Sequence, residues 1–324
     1  MFLKKDIKII TKKILYHSRL ADFLLGCNRH KLLILCHHRI APGDKFTYLG
    51  ISQDIFEEQI VFLKKYFKIV SFDEGVKSLK ANSIKESLVV LNFDDGYRDN
   101  YTYAFPVLKK YNITATIFVT VDYIGTKKQF WWDSVADTIL GSPLVSGEAI
   151  EKVGMIDNIN YSLQRMNLKD RKEEIERINK KFGFMGNNGK EREMLDWEEI
   201  KEMERYGIDF GSHTLTHPNL TLLGQNGLVA EVLESKENLE YALKKKICSF
   251  AYPYGLYNKN VKRTIKKSNY LYARSMLNGF NDACEDMFAL KCISGFSYTL
   301  NDLAARLSYR GLIKYGNSKK DFFS

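Results

Sequence analysis

The stretch that most constrains this chain is Ser87-Leu88-Val89-Val90-Leu91-Asn92-Phe93, which stops at Asp94-Asp95-Gly96. An apolar run with β-branched members suits a strand buried on both faces of a parallel sheet. Two adjacent carboxylates end it, at the carboxyl end of the strand, where α/β folds build their sites. Gly96 lets the backbone turn sharply and hold both carboxylates near one ligand. A polar turn leading to a helix N-cap accounts for these residues equally well, so the rest of the chain decides.

The pattern recurs along the sequence. Leu32-Leu33-Ile34-Leu35-Cys36 is a second short apolar run, and it ends in His37-His38-Arg39. Residues 54–67 carry Phe56, Ile60, Leu63 and Phe67 as one helical stripe. Residues 68–71 read as a strand, 73–80 as a short helix, 103–111 as a helix despite Pro106, and 114–120 as a β-branched strand. This alternation predicts a largely parallel sheet or barrel wrapped by helices. It breaks over residues 126–196, which predict a mostly helical insertion over one end of the sheet, beginning near Phe130-Trp131-Trp132-Asp133. The paired tryptophans either stack on a sugar ring or anchor the insertion to the core. Helices are expected over 197–206 and 226–244, with a strand between them leading into His213-Thr214-Leu215-Thr216-His217-Pro218. A strand ending in Tyr252-Pro253-Tyr254-Gly255 follows, then a helix over 258–268, strands near 270–273 and 288–293, and a last helix over 301–310.

Composition narrows the class. At 324 residues and 45% hydrophobic, the chain can fill the core of one large α/β domain. Its five cysteines are odd in number and contain no C-x-x-C pair, which points to reduced thiols rather than a disulfide framework or a thiolate zinc site. No apolar stretch approaches a membrane span, and residues 1–30 lack the apolar core of a signal peptide, so a cytoplasmic protein is expected. Part of the net charge of +10 lies at Lys4, Lys5, Lys8, Lys12, Lys13 and Arg19, interleaved with apolar residues. Residues 1–30 therefore read as a basic amphipathic segment that either packs on the domain or lies on an anionic membrane surface. The remaining basic residues are mixed with acids and form no recognition motif, so nucleic acid is not indicated as a partner.

A carboxylate pair and a histidine pair, both placed after strands, define the chemistry. Two histidines four apart fall on one face of a helical turn and can reach one cation, with zinc the default. One aspartate completes that ligand set and the other is free as a base. A histidine at the mouth of another strand, such as His38, can protonate a departing amine.

Asn92-Phe93-Asp94-Asp95-Gly96, His213-Thr214-Leu215-Thr216-His217-Pro218 and Tyr252-Pro253-Tyr254-Gly255 together resemble three motifs of the polysaccharide deacetylases, the NodB-homology group of carbohydrate esterase family 4. The similarity runs over about residues 32–290 and includes Phe130-Trp131-Trp132-Asp133. It implies a distorted (β/α)7 barrel with a helical insertion, spanning residues 31–315 between the basic segment and a tail at 316–324. It further implies that Asp95, His213 and His217 bind a divalent metal, that Asp94 is the general base, and that the Tyr254 backbone N–H holds the oxyanion. Trp132 is the candidate to line the substrate. Three departures stand out. Asn92 replaces a common threonine. Ala251 and Tyr252 occupy the region where many members carry an arginine beside the base, leaving Lys291 as a candidate substitute. No histidine follows His217, so the acid is assigned to His38, with His37 as the alternative, from likeness to a permuted subset whose N-terminal Tyr-His segment supplies it.

The expected function is metal-dependent removal of an N-acetyl or N-formyl group from an amino sugar, in a polysaccharide or in a lipid-linked glycan at the inner face of the membrane. A catalytically silent carbohydrate-binding protein on the same barrel, and a metal-dependent phosphoesterase, are the alternatives. Deleting residues 1–25 is expected to lower co-sedimentation with anionic vesicles; an unchanged bound fraction would rule out the membrane contact.

Overall fold

The computed structural model describes residues 30–43, 46–183, 191–297 and 299–307. The basic segment, apart from His30, and the tail at 316–324 lie outside the described residues, as does most of the Gly/Asn-rich stretch after residue 183. Among the described residues no helix is long and apolar enough to cross a membrane.

The described residues open with β1 (Leu32–His37), β2 (Arg39–Ala41) and β3 (Gly50–Ser52), and continue through α1 (Gln53–Tyr66), β4 (Lys68–Ile69), α2 (Phe72–Lys80) and β5 (Leu88–Phe93). Ser52 and Ser71 cap α1 and α2 by accepting the N–H groups of Ile55 and Glu74. A π-helical turn, Asn100–Ala104, then enters α3 (Phe105–Tyr111). Pro106 lies at the start of α3, directly after the π-helical turn in which Phe105 N–H bonds the carbonyl of Asn100. After β6 (Thr116–Val119) comes the insertion, with α4 (Trp131–Gly141), α5 (Ala149–Leu163) and α6 (Leu168–Phe182). The remainder is α7 (Trp197–Arg205), β7 (Asp209–Ser212), α8 (Gln225–Leu243), β8 (Ser249–Ala251), α9 (Lys259–Lys267), β9 (Tyr272–Asn278), β10 (Leu290–Ser294) and α10 (Leu300–Leu307).

Seven parallel strands close into a barrel in the order β1-β10-β9-β8-β7-β6-β5, with β5 returning to β1. The closing pair runs in register from Leu32↔Leu88 to His37↔Phe93. On its other edge β5 pairs with β4 at Leu88 and Val89 and with β6 at Asn92 and Phe93, so β4 sits outside the closed ring. The barrel is distorted where β9 reaches β10 without a helix and the register shifts between Leu290 and Cys292. The expected (β/α)7 barrel with a helical insertion is thus the observed one, although β9 starts later and runs further than residues 270–273.

Because side chains alternate along a strand, the barrel splits into two apolar layers. Leu32, Ile34 and Cys36 of β1 join Val90, Phe118, Tyr272 and Leu290 in an inner cluster, closed at one end by Phe72, Val76 and Leu79 of α2. Leu33, Leu35, Val89, Leu91, Ile117 and Phe210 pack outward with the surrounding helices. The insertion has its own core, including Phe130, Trp132, Val135, Ile139 and Ile156, and it is joined there by Tyr48 and Tyr97 from the barrel loops.

Gly211 has no room for a side chain. A Cβ on Gly211 of β7 would lie 2.5 Å from both Phe118 Cε1 and Ser249 Oγ. Gly211→Ala is expected to destabilise the barrel by about 1–3 kcal/mol through overpacking, read as a lower urea midpoint at unchanged slope.

Candidate active site

The carboxyl end of β5 sets the site. Asp95 (φ 76) and Gly96 (φ 83) both adopt left-handed backbone, so the chain reverses within two residues. A Cβ at position 96 would also press on Val119 Cγ1 at 3.0 Å, so glycine is required there twice over. The turn is held by Thr120 N donating to Asp95 O (3.3 Å) and Leu195 N donating to Gly96 O (2.9 Å). As a result the two buried carboxylates meet different neighbours.

Asp95 meets the histidines. Its Oδ1 lies 3.5 Å from His213 Nε2 and 3.4 Å from His217 Nε2, and the two Nε2 atoms are 3.2 Å apart. The histidines do not share a helical turn, which corrects the expectation from their spacing. Thr214 (φ 72) and His217 (φ 57) are left-handed, so the segment is a tight loop. Glu231 of α8 holds it by accepting the N–H groups of Leu215 (2.9 Å) and Thr216 (3.0 Å), and Thr214 Oγ1 accepts from His217 N (3.0 Å). His213 Nδ1 is 2.8 Å from the carbonyl of Ala251, which can only accept, so the proton sits on Nδ1 and Nε2 presents a lone pair. Burial lowers the His213 pKa to about 4 and carries that of His217 well below its ordinary value, so both rings are neutral near pH 7. Burial also raises the Asp95 carboxyl, with the charge of Asp94 next. Two neutral imidazoles and a carboxylate make a donor set for a divalent cation. Their spacing fits one as well, since a tetrahedral ion about 2.0–2.2 Å from each donor holds them roughly 3.3–3.6 Å apart.

Asp94 turns into the barrel and meets a cation of the protein's own. The guanidinium of Arg274, a fully buried side chain on β9, donates through Nη2 to Asp94 Oδ2. Asn92 Nδ2 donates to Oδ1 at 3.2 Å, and the thiol of Cys36 approaches Oδ2 at 3.5 Å. Burial alone would raise the Asp94 pKa, but Arg274, followed by His213 and His38, brings it below the ordinary carboxylate range. Asp94 Oδ2 is also 4.0 Å from His213 Nε2, so an ionised carboxylate stands directly beside the three-donor cluster.

Arg274 is the residue that sequence reasoning missed. Lys291, the substitute considered, is instead paired with Glu285. The available signal was an arginine that follows Tyr272-Ala273 within a strand, where a buried, unpaired charge would be untenable. The two histidines at the end of β1 face different surroundings. His37 is an outward-facing strand residue, packed between Phe56 and Phe93, with Nε2 2.9 Å from Gln59 Oε1. It does not line the cavity. His38, one residue further, does so together with Asp94, Asp95, His213 and His217. Burial lowers the His38 pKa, opposed by the nearby Asp94 carboxylate.

Aromatic side chains wall the cavity. Trp132 packs against the His217 ring with centroids 4.6 Å apart and donates through Nε1 to Tyr97 Oη (2.9 Å), which donates to Asp133 Oδ2 (2.7 Å). It thus lines the cavity and anchors the insertion at once. Trp131 Nε1 donates to Tyr254 Oη (3.0 Å), and Tyr254, itself at φ 58, donates to the carbonyl of His217 (3.2 Å).

The sequence model of the family described as Polysaccharide deacetylase matches residues 81–273. The poly-beta-1,6-N-acetyl-D-glucosamine N-deacetylase of Staphylococcus aureus (strain MRSA252) is 25% identical over 275 residues, covering 78% of this chain and 74% of its own. Among solved structures, the Streptococcus pyogenes deacetylase PplD in complex with acetate superposes with a TM-score of 0.59 at 21% identity, over 89% of this chain and 99% of that one. IcaB from Ammonifex degensii gives 0.59 at 22% identity, over 86% and 97%.

The grip of Glu231 on the histidine loop makes it measurable. Glu231→Ala is expected to weaken binding of a divalent cation by about 10–100-fold, as loss of a ligand-orienting partner does, in a calorimetric zinc titration; unchanged affinity would mean the loop keeps its shape without that carboxylate.

Proposed function

The chain belongs to the polysaccharide deacetylase family, and from that premise we propose that it hydrolyses the N-acetyl group of an amino sugar within a polysaccharide, with a divalent cation held by Asp95, His213 and His217. The observation that carries this reading is the cluster of three donors 3.2–3.5 Å apart beside a fourth group, Asp94, that is ionised and engaged elsewhere. Two imidazoles and one carboxylate favour zinc. Bound there, the cation would polarise the acyl carbonyl and lower the pKa of the attacking water.

The remaining work falls to the protein's own groups. Asp94 takes the proton of the attacking water, and Arg274 keeps that carboxylate ionised and oriented. The Tyr254 backbone N–H donates to the oxygen on which negative charge develops. His38, on the same cavity wall as Asp94, delivers a proton to the departing amine, without which the C–N bond does not break. Trp131 and Trp132 offer the sugar an apolar wall. The catalytically silent alternative rested on a missing arginine and a missing C-terminal histidine. Arg274 beside the base and His38 on the cavity wall supply a group for each place.

The N-acetylglucosamine polymer named for the Staphylococcus aureus relative is the first substrate to test. A membrane-apposed setting with a lipid-linked glycan rests on the basic segment at residues 1–25, and the vesicle experiment addresses it. Zinc-loaded protein is expected to release acetate from poly-β-1,6-N-acetyl-D-glucosamine, and Asp94→Asn to lower kcat by about 10²–10⁴-fold while still binding the cation. Phosphate release from a phosphoester without acetate release from any N-acetylated glycan would replace this reading with the phosphoesterase.

A further inference from the structure

Within the barrel, beside the cluster of Asp95, His213 and His217, lies a second convergence of donors. One ligand atom each from Cys36, near the end of β1, His38, just past it, and Asp94 all lie within 4.8 Å of one another. Cys36 and Asp94 are buried, whereas His38 is half-buried and faces the cavity, which leaves a route from solvent. Asn92, the register partner of Cys36 on β5, is fully buried beside them, and its Oδ1 has no hydrogen-bond partner among the described residues. Asn92 Nδ2 donates to Asp94 Oδ1, so an acceptor without a partner sits on a side chain bonded to this cluster, a polar group that the barrel interior leaves unaccounted for.

We propose that Cys36, His38 and Asp94 form a second, thiolate-containing site for a borderline-to-soft divalent cation, and that filling it shuts the enzyme off. The inhibitory half rests on the acid–base reading above; the binding half does not. On binding, the Cys36 S–H bond is exchanged for a sulfur–metal bond and one proton leaves to solvent, with no change of oxidation state. The thiolate and the Asp94 carboxylate then balance the two charges of the ion. Sulfur selects zinc, cobalt or cadmium over magnesium or calcium. Donor separations of up to 4.8 Å exceed the roughly 3.3–3.8 Å of a tetrahedral S, N, O set, so the side chains close by about an ångström on the ion. Arg274 already holds Asp94, and a first cation would lie close by, so this site fills second. Its occupant takes both the general base and the acid out of use.

The metal dependence is therefore biphasic: turnover rises to one equivalent of zinc and falls with the second. Cobalt titration of the full-length protein is expected to show the ligand-field bands of the first site and then a near-ultraviolet thiolate-to-cobalt charge-transfer band, with the second step absent in Cys36→Ser. Excess zinc is expected to lower wild-type turnover by about 10²-fold or more, the scale of lost acid–base catalysis. In Cys36→Ser that inhibition, measured against the variant's own activity at one equivalent, is lost. His38→Asn, at a half-buried position, is an independent variant in which the charge-transfer band shifts or weakens. No band in the wild type, a band that persists in Cys36→Ser, or one unaltered by His38→Asn would overturn the site. A band without inhibition would overturn its regulatory role. A protein that deacetylates nothing at one equivalent fails the proposed function, and the cobalt band still decides this site on its own.

Discussion

Closing a parallel sheet on itself leaves each strand buried on both faces, so polar side chains gather mainly toward the strand ends. The six-residue register between β1 and β5 makes that closure, and it also brings the ends of the two strands to the same height. His38 and Asp94 leave the barrel as neighbours for that reason. The same geometry delivers Ala251 O at the end of β8 to His213 Nδ1, which fixes the tautomer of a residue that follows β7. The site is a property of strand ends meeting at one rim.

Two carboxylates adjacent in sequence are given opposite environments within that rim. Asp94 points at a guanidinium without solvent contact, and its pKa is brought below the ordinary range. Asp95 is pushed the other way by burial and by the charge of Asp94. Neighbouring acids driven apart in this way take different roles. The separation is achieved by backbone, since the left-handed turn at Asp95 and Gly96 sends the two side chains to different partners. A buried Arg–Asp pair is weak as a device for stability, because the cost of desolvating two charges offsets their attraction. Its location beside the three-donor cluster accounts for its presence better than stability does.

What was legible in the sequence was local. The run from Leu88 to Gly96 announced a buried strand ending in carboxylates, and the alternation announced a barrel with an insertion. Groups brought in from far along the chain were not legible. Arg274 reaches Asp94 across 180 positions, and Glu231 holds the histidine loop from a helix whose pattern speaks only of packing. Which of His37 and His38 faces the cavity was hidden for a related reason. A strand apolar on both faces carries no phase in its pattern, so only the contact of His37 with Phe56 of α1 shows which histidine turns outward. The helical-turn expectation for the histidines failed because spacing specifies separation but not φ, and Thr214 and His217 are both left-handed.

The insertion is better understood as a wall of the site than as an appendage. A non-glycine residue at φ 57 carrying a candidate ligand holds its shape only if its surroundings over-determine it. His217 is met by Trp132 and Phe130 from the insertion and by Tyr254 from the turn after β8, with ring centroids 4.6, 5.7 and 4.6 Å away. Trp132 is fixed through Tyr97 and Asp133, and Arg39, stacked on Tyr97, bonds Asp99 at 2.8 Å. The strain in the histidine loop is therefore countered by contacts that run from the insertion back to the residues just past β1. That path explains why Phe130-Trp131-Trp132-Asp133 reads as one unit in the sequence: the first three residues line or support the cavity, and the fourth ties them to the barrel.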